Sequence, residues 1–498
     1  MNPADRFITG NWSIALTIKT LTNEQKASFS LLIIQTFSTL GFAVLYSTLV
    51  LYATKELGFS DADATIIMGV FGAFNYGLHL LGGLLGGRLM SNRNLFIIGM
   101  ALQVAGCYGI AQFGQPGLYW GLAFFLTGSG LNVTCINMML TQRFQPDDPT
   151  RETAFLYNYA GMNLGFFVGF AVAGYYQNLA DYKSLFMFAT LGNLAAVVAT
   201  GIFWKHIGDL TTPLVGKTKK QWRNAFALGI LVIAVLVPVI KFLLVSAAFS
   251  SQLVVVISVL VFLTILALTL KHKHKAEKGR MVSYLVLALG SLIFWSLYQL
   301  APMGLSLFAD RNVDMVVDGF KVAPQWIQNI NTVVIVVGGP LMATLFNKLR
   351  AKGYNIDIPL QFSASLVFIG AGFLALPLGI MHADSAGMVS ITYVAISYVL
   401  QSIGELLISP IGYAMVGKLA PKNYQGGMMG AWMLVTGVAS IIAAQFSEMM
   451  PGQGPAIATD AGYSSVFSGL GIAAVAGGIV LVLLTPTLRR LIGDKVAA

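Results

Sequence analysis

The chain has 498 residues, of which 56% are hydrophobic and only 10% are charged, and its formal net charge is +10. Soluble domains carry about 25% charged residues, and a mean hydropathy of +0.75 leaves too few polar side chains to cover a water-exposed surface. The composition therefore excludes a soluble globular protein and predicts an all-α membrane protein.

Apolar runs recur along the whole chain, and each is long enough to cross a bilayer as a helix. We predict 14 spanning helices, so both termini lie on the same side of the membrane. The predicted spans are 29–52, 65–87, 95–112, 118–141, 154–175, 184–204, 222–245, 251–270, 281–308, 322–347, 358–380, 388–416, 424–447 and 462–486.

The positive charges predict the orientation of these spans. All but five of the 30 Lys and Arg residues fall in loops or tails on one side, and the exceptions are Lys55, Lys183, Lys241, Arg311 and Lys321. Basic loops of membrane proteins face the cytoplasm. We therefore expect a multi-pass protein of the cell inner membrane with both termini cytoplasmic, and we interpret the positive charge as a topology signal, not as a nucleic-acid surface.

An internal repeat predicts two bundles. Span 2 ends with "GGLLGGRLMSNR" and span 10 contains "GGPLMATLFNKLR". Each segment has small residues within the helix, followed by basic residues where the chain leaves the membrane. If spans 7 and 8 form an inserted hairpin, six spans remain on either side, as in a transporter that alternates access around a site at mid-membrane. The predicted segments are a tail at 1–28, a bundle at 29–205, the hairpin with basic linkers at 206–280, a second bundle at 281–488, and a tail at 489–498.

Four segments carry a resemblance to a known family. They are "LVLYATKELGFSDADA", "DDPTRETAF", "FWSLYQLAPMGLSLFADRNVD" and "LQSIGELLISPIGYAMVGKLAP". Together they resemble the proton-dependent oligopeptide transporters of the major facilitator superfamily, and the similarity runs from about residue 30 to residue 488. The resemblance implies the major facilitator fold with the extra helix pair, and uptake of di- and tripeptides driven by the proton gradient.

The resemblance also implies a set of substrate-binding residues at positions that match the family's motifs. These include the G-E-L motif around Glu405, the F-W pair that ends at Trp295, and the "NYAGMNLG" segment. The implied set is Tyr76, Tyr159, Asn163, Trp295, Tyr298, Asn331, Glu405 and Trp432.

Several charged positions of the family are replaced in this chain. The two carboxylates and the arginine of the E-x-x-E-R motif fall on Gln35, Ser38 and Thr39, and the lysine of span 4 falls on Val133. The acid–glutamine pair that follows the F-W motif in the family reads Gln299-Leu300 in this chain. The predicted first bundle thus lacks the intramembrane charges that the family uses for coupling protons.

Two ionisable residues within the spans remain as candidates for proton coupling. Glu405 is the one acidic residue deep in a span, where a charge costs roughly 2.5–3.5 kcal/mol and normally faces the interior of the bundle. It either faces a substrate amine or is a structural carboxylate held by hydroxyls such as those of Ser402 or Ser409. His79 follows Tyr76 by one helical turn and could exchange a proton, or it could be a neutral histidine bonded within the helix bundle.

Two functions remain open on the sequence alone. The leading one is a peptide–proton symporter, and the alternative is a family member that carries another amphipathic metabolite as a facilitator or exporter. We find no phosphate-binding loop, no nucleophile–base arrangement and no metal-ligand spacing, so we expect no enzyme activity, no cofactor and no metal. The expected partners are a small-molecule substrate, protons and the lipid bilayer, and we expect a monomer.

Overall fold

The computed structural model describes residues 22–145, 148–354 and 356–493. Within these ranges the chain forms fifteen α-helices and four two-residue strands. The helices are α1 (Asn23–Lys55), α2 (Asp61–Leu85), α3 (Asn92–Gln112), α4 (Gly114–Thr141), α5 (Pro149–Asn178), α6 (Tyr182–Ile202), α7 (Lys219–Val245), α8 (Ala247–Lys271), α9 (Lys275–Tyr298), α10 (Gly304–Asn312), α11 (Pro324–Ala351), α12 (Ile358–Met381), α13 (Ile391–Leu419), α14 (Gln425–Glu448) and α15 (Ala456–Ile492). The strands are β1 (Val313–Asp314), β2 (Val316–Val317), β3 (Phe320–Lys321) and β4 (Val389–Ser390), with β1 parallel to β4 and β2 antiparallel to β3.

All helices except α10 are long and apolar enough to cross a membrane, which gives 14 candidate spans in the described chain. Helices α1–α6 form one bundle, in which α1 packs on α5 and α6 and α3 packs on α4. Helices α9 and α11–α15 form the second bundle, in which α12 packs on α13 and α15. The hairpin α7–α8 lies outside both bundles, with α7 against α4 and α8 against α14 and α2.

The ends of the first and last helices differ from the predicted tails. Residues 1–21 of the predicted tail at 1–28 lie outside the described residues, but α1 already begins at Asn23, because Thr22 and Gln25 form a reciprocal capping box with N···O distances of 2.9 and 3.2 Å. Helix α15 continues through the first residues of the predicted tail at 489–498, and Gly493 ends it in the left-handed conformation at φ 85°. Residues 494–498 lie outside the described residues.

The predicted span at 281–308 was wrong as a single helix. Helix α9 ends at Tyr298, a turn follows, and α10 begins at Gly304. Pro302 explains the interruption, because proline has no N–H to donate and disfavours helical geometry at the preceding residue. The break turns α10 toward the first bundle.

The two bundles are joined by ion pairs at one end of the molecule, which we call the closed end. The Lys55 ammonium lies 2.6 Å from Asp310, and the Arg311 guanidinium donates two hydrogen bonds to Asp61 at 2.6 and 2.8 Å. These hydrogen bonds raise the pKa of Arg311 above its ordinary value. Each pair links the first bundle to α10, so together they fasten the bundles across the closed end.

Helix contacts between the bundles continue from the closed end toward the middle of the membrane. The indole N–H of Trp326 in α11 donates to the carbonyl of Ala171 in α5 at 2.7 Å, and its ring fills the space beside Gly174. Gly72 of α2 lies directly against Ser440 of α14, where a larger residue would clash. Beyond Ile335, no described residue of α11 is buried. The bundles therefore separate toward the opposite end, which we call the open end.

The linker between α6 and α7, residues 203–218, is attached to the first bundle at the open end. The backbone and side-chain nitrogens of Asn92 donate to Asp209 at 3.1 to 3.2 Å. The Arg93 guanidinium stacks over Trp204 at 4.2 Å and donates to its carbonyl at 2.9 Å. These contacts make the linker part of the surface of the first bundle.

Candidate substrate site

A cavity of about 490 Å³ lies between the two bundles. Its lining comes from α1 to α5 on one side and from α9, α11, α13 and α14 on the other. The structure brings together in this lining all eight predicted substrate-binding residues, both coupling candidates and all four replaced motif positions. These are Tyr76, Tyr159, Asn163, Trp295, Tyr298, Asn331, Glu405, Trp432, His79, Gln35, Ser38, Thr39 and Val133.

Glu405 is held in place by an asparagine from a neighbouring helix. The Asn331 side-chain nitrogen donates to Oε2 of Glu405 at 2.7 Å and to the Ser402 hydroxyl at 3.0 Å. The Ser402 hydroxyl itself donates to the Tyr398 carbonyl at 2.7 Å, and Tyr298 interacts with the Glu405 carboxyl from α9. The described hydrogen bond that holds Glu405 thus comes from an amide and not from the hydroxyl of Ser402 or Ser409, and Glu405 is one of the residues that line the cavity.

The wall formed by the first bundle contains polar side chains that bond to their own neighbours. Gln35 donates to the Thr39 hydroxyl at 2.9 Å, and the Ser129 hydroxyl donates to Asn75 at 2.8 Å. The Asn163 amide donates to a main-chain carbonyl one turn earlier in α5. The positions that the resemblance assigns to charged residues are thus occupied here by uncharged side chains: Gln35 and Thr39 bond to each other, Ser38 donates to the Gln35 main-chain carbonyl, and Val133 is apolar.

The predicted common face of Tyr76 and His79 is present. Their rings lie edge to face with centroids 5.8 Å apart, and both residues line the cavity. The His79 main-chain carbonyl accepts a hydrogen bond from Thr134 at 2.8 Å, whereas its ring Nε2 is buried without a partner. A protonated ring would leave a buried N–H unpaired at this nitrogen, which is unfavourable.

Two tryptophans supply large apolar surfaces to the second wall. Trp295 packs edge to face on Tyr298, with centroids 5.3 Å apart, and its indole N–H is buried without a partner. Trp432 rests against Gly412 of α13, where a side chain would occupy the ring's position. The cavity can therefore surround an apolar side chain with aromatic surface from both tryptophans.

Sequence reasoning missed Tyr46 as a cavity residue. Its hydroxyl donates at 3.0 Å to Gln299, the residue that follows α9, and so links the two bundles beside the cavity that Tyr46 lines. Tyr46 follows Thr39 by seven residues, two turns along the same helical face, and that spacing could have indicated it. Tyr398 and Gln401 of α13 line the cavity as well and were also missed.

Among residues 22–145, 148–354 and 356–493, no group of three or more His, Cys, Asp or Glu residues could hold a metal ion. The polar side chains of the described cavity lining include one carboxylate, one imidazole and several phenols, and most of the others are neutral amides and hydroxyls.

Comparison with known proteins places the chain in a family. The model of the POT family matches residues 91–457. A dipeptide and tripeptide permease A of Cronobacter turicensis is 29% identical over 97% of both chains, and the protein of the same name from Salmonella typhimurium is 29% identical over 95% of this chain and 94% of that one. A crystal structure of a variant of peptide transporter POT in complex with alafosfalin superimposes with a TM-score of 0.80 at 26% identity, covering 94% of this chain and 95% of the other.

The chain belongs to the POT family of transporters, and its fold is the major facilitator fold of that family. The predictions of fold class and family made from the sequence are thereby confirmed.

Proposed function

We propose that the protein carries dipeptides and tripeptides across the cell inner membrane by alternating access between its two bundles. The observation that carries this proposal is the Asn331-held carboxylate of Glu405 inside a cavity that both bundles line. A carboxylate in that setting suits the ammonium of a peptide amino terminus, since a charged partner offsets the cost of its burial. The relatives named as dipeptide and tripeptide permeases favour peptides over the alternative solute class.

The open end of the cavity faces the cytoplasm in this proposal, and the closed end faces outward. The loops at the open end include the basic linker 203–218 and the segment after α11, while the closed end has few basic residues. A reporter fused at residue 215 should therefore be cytoplasmic and one fused at residue 315 should lie outside. A common side for both fusions would contradict the orientation.

Proton coupling, in this proposal, resides mainly in Glu405, with His79 as a second candidate. Ligand ammonium and proton compete for one carboxyl, because the ammonium favours the ionised form and an empty cavity favours the neutral one. Competition for one carboxyl would by itself exchange ligand and proton in opposite directions, so co-transport of both needs a second proton-binding group, and His79 of the described cavity lining is the candidate.

The test is a calorimetric titration of a free-amine dipeptide and its N-acetylated form against the wild type and Glu405→Gln. The substitution keeps the side chain's shape and removes its charge, so the free-amine peptide should bind at least about tenfold more weakly, or 1.4 kcal/mol. The acetylated peptide should bind both proteins alike.

Glu448→Gln is the matched control, because Glu448 is an exposed carboxylate at the end of α14, outside the cavity lining. It should leave both affinities unchanged. If Glu405→Gln also leaves the free-amine affinity unchanged, Glu405 is a structural residue and the peptide proposal loses its principal support.

A further inference from the structure

The cavity is electrically one-sided. Of the described residues that line it, Glu405 is the only carboxylate, and none is Lys or Arg. His79 is the one further side chain in this lining that could become positive. Its Nε2 is buried without a hydrogen-bond partner, so an N–H formed there by protonation would have no acceptor. A ligand in this cavity therefore meets one negative group and no fixed positive group.

A free dipeptide is a poor electrical match to such a site. Its ammonium can pair with Glu405, but its carboxylate is a second negative charge, brought close to the first. A carboxylate that leaves water needs a cation or several directed donors to replace its hydration. The positions where the family resemblance places the arginine and lysine are Thr39 and Val133 here, and neither can supply a charge.

The facing wall offers a ligand only neutral hydrogen-bonding groups. The Thr39 hydroxyl accepts from Gln35 and the Asn75 amide oxygen accepts from Ser129, so the donors that remain at Thr39 and Asn75 are an uncharged O–H and an uncharged NH₂. Val133, exposed over 44% of its surface, presents methyl groups to the cavity. Amides and hydroxyls of this kind can exchange hydrogen bonds with a neutral amide or ester, which has no charge to compensate.

Resting on the proposed function, we infer that the site selects ligands with a primary ammonium at one end and an uncharged polar group at the other. Peptide amides and peptide esters are the chemical class that meets both conditions. The cavity then binds a ligand with a single positive charge. Glu405 pairs with the ligand's ammonium, and the neutral wall of the first bundle contacts its amide or ester group.

The experiment compares three ligands of one shape by calorimetry at a single neutral pH. They are Ala-Phe, Ala-Phe amide and N-acetyl-Ala-Phe, each titrated into the purified full-length protein. The amide should bind at least about tenfold more tightly than the free acid, equivalent to about 1.4 kcal/mol, and the acetylated acid should bind most weakly. Free acid binding as tightly as the amide would overturn the inference while leaving the proposed peptide function intact. If neither free-amine ligand binds, both proposals fail.

A second variant tests the cause. Val133→Lys places a cation at an exposed position of the cavity wall, and it should shift the ratio of amide to free-acid affinity at least about tenfold toward the acid. Leu210→Lys adds the same charge on the exposed linker outside the cavity lining and should leave the ratio unchanged. An unchanged ratio in a folded Val133→Lys protein would show that the missing cation does not set the preference and would overturn the inference.

Discussion

The two walls of the cavity come from bundles of equal size, but they differ in how their polar side chains are bonded. On the second wall, Asn331 joins α11 to α13 through the carboxyl group of Glu405 and through Ser402. On the first wall, Gln35 and Thr39 bond within one helix, and both groups are neutral. A rearrangement of Gln35 and Thr39 in the first wall would expose only neutral groups, whereas a rearrangement of Asn331 in the second wall would expose the ionisable carboxyl group of Glu405. In the proposed function, the counter-ion of the ligand therefore lies in the second bundle, and the first wall has neutral groups and His79 in the described cavity lining.

The largest expected effect comes from placing a charge in the neutral wall. Thr39 is buried, so Thr39→Arg puts an unpaired cation into the membrane-spanning part of α1 and should lower the free energy of unfolding in detergent by roughly 2.5–3.5 kcal/mol. Adding Gln35→Glu supplies a partner one turn away and should recover much of this loss.

Thr211→Arg is the control for this experiment, because Thr211 is exposed in the linker 203–218, outside the candidate membrane spans. It should change stability by no more than about 0.5 kcal/mol. If Thr39→Arg were equally harmless, the first wall would tolerate charge, and the contrast between the walls would not hold.

A smaller loss of stability is expected when either of two asparagines on opposite walls, Asn331 and Asn75, is replaced by alanine. Asn331→Ala removes a donor to a carboxylate and should cost about 1.5–3 kcal/mol, whereas Asn75→Ala removes a neutral partner of Ser129 and should cost about 0.5–1.5 kcal/mol. Unfolding of both variants in the same detergent measures the difference. Equal losses of stability would show that the hydrogen bond from Asn331 to Glu405 contributes no more than the hydrogen bond between Asn75 and Ser129.

The smallest expected effect is on proton coupling. Because the first wall lacks the E-x-x-E-R carboxylates, uptake into proteoliposomes should respond less to an imposed pH gradient than uptake by a POT relative that has the motif. What response remains should disappear in the His79→Ala, Glu405→Gln double variant. A strong gradient effect that survives in the double variant would place the coupling group elsewhere in the chain.

The helices and the positions that line the cavity were largely predictable, because apolar length and motif position are local properties of the sequence. Glu405 was indicated by its isolation in an apolar run, but its partner Asn331 lies 74 positions away, and only the packing of α11 on α13 brings the two together. The interruption before α10 could have been predicted from Pro302. The attachment of Asp209 to Asn92 could not, since it depends on how a loop folds back on the bundle.

The hairpin α7–α8 has a consequence for the rate of the transport cycle. Four of its hydroxyl groups bond within the hairpin itself: Ser250 donates to the Leu243 carbonyl, and Ser258, Thr264 and Thr269 donate to carbonyls one turn earlier in α8. The surfaces that α8 turns toward α14 and α2 therefore interact mainly through dispersion contacts, which have little directional preference. When the bundles rock, this interface can slide without breaking a hydrogen bond. The added helices thus enlarge the part of the protein that lies in the membrane, while the contact of α8 with α14 and α2 adds little resistance to movement of the two bundles.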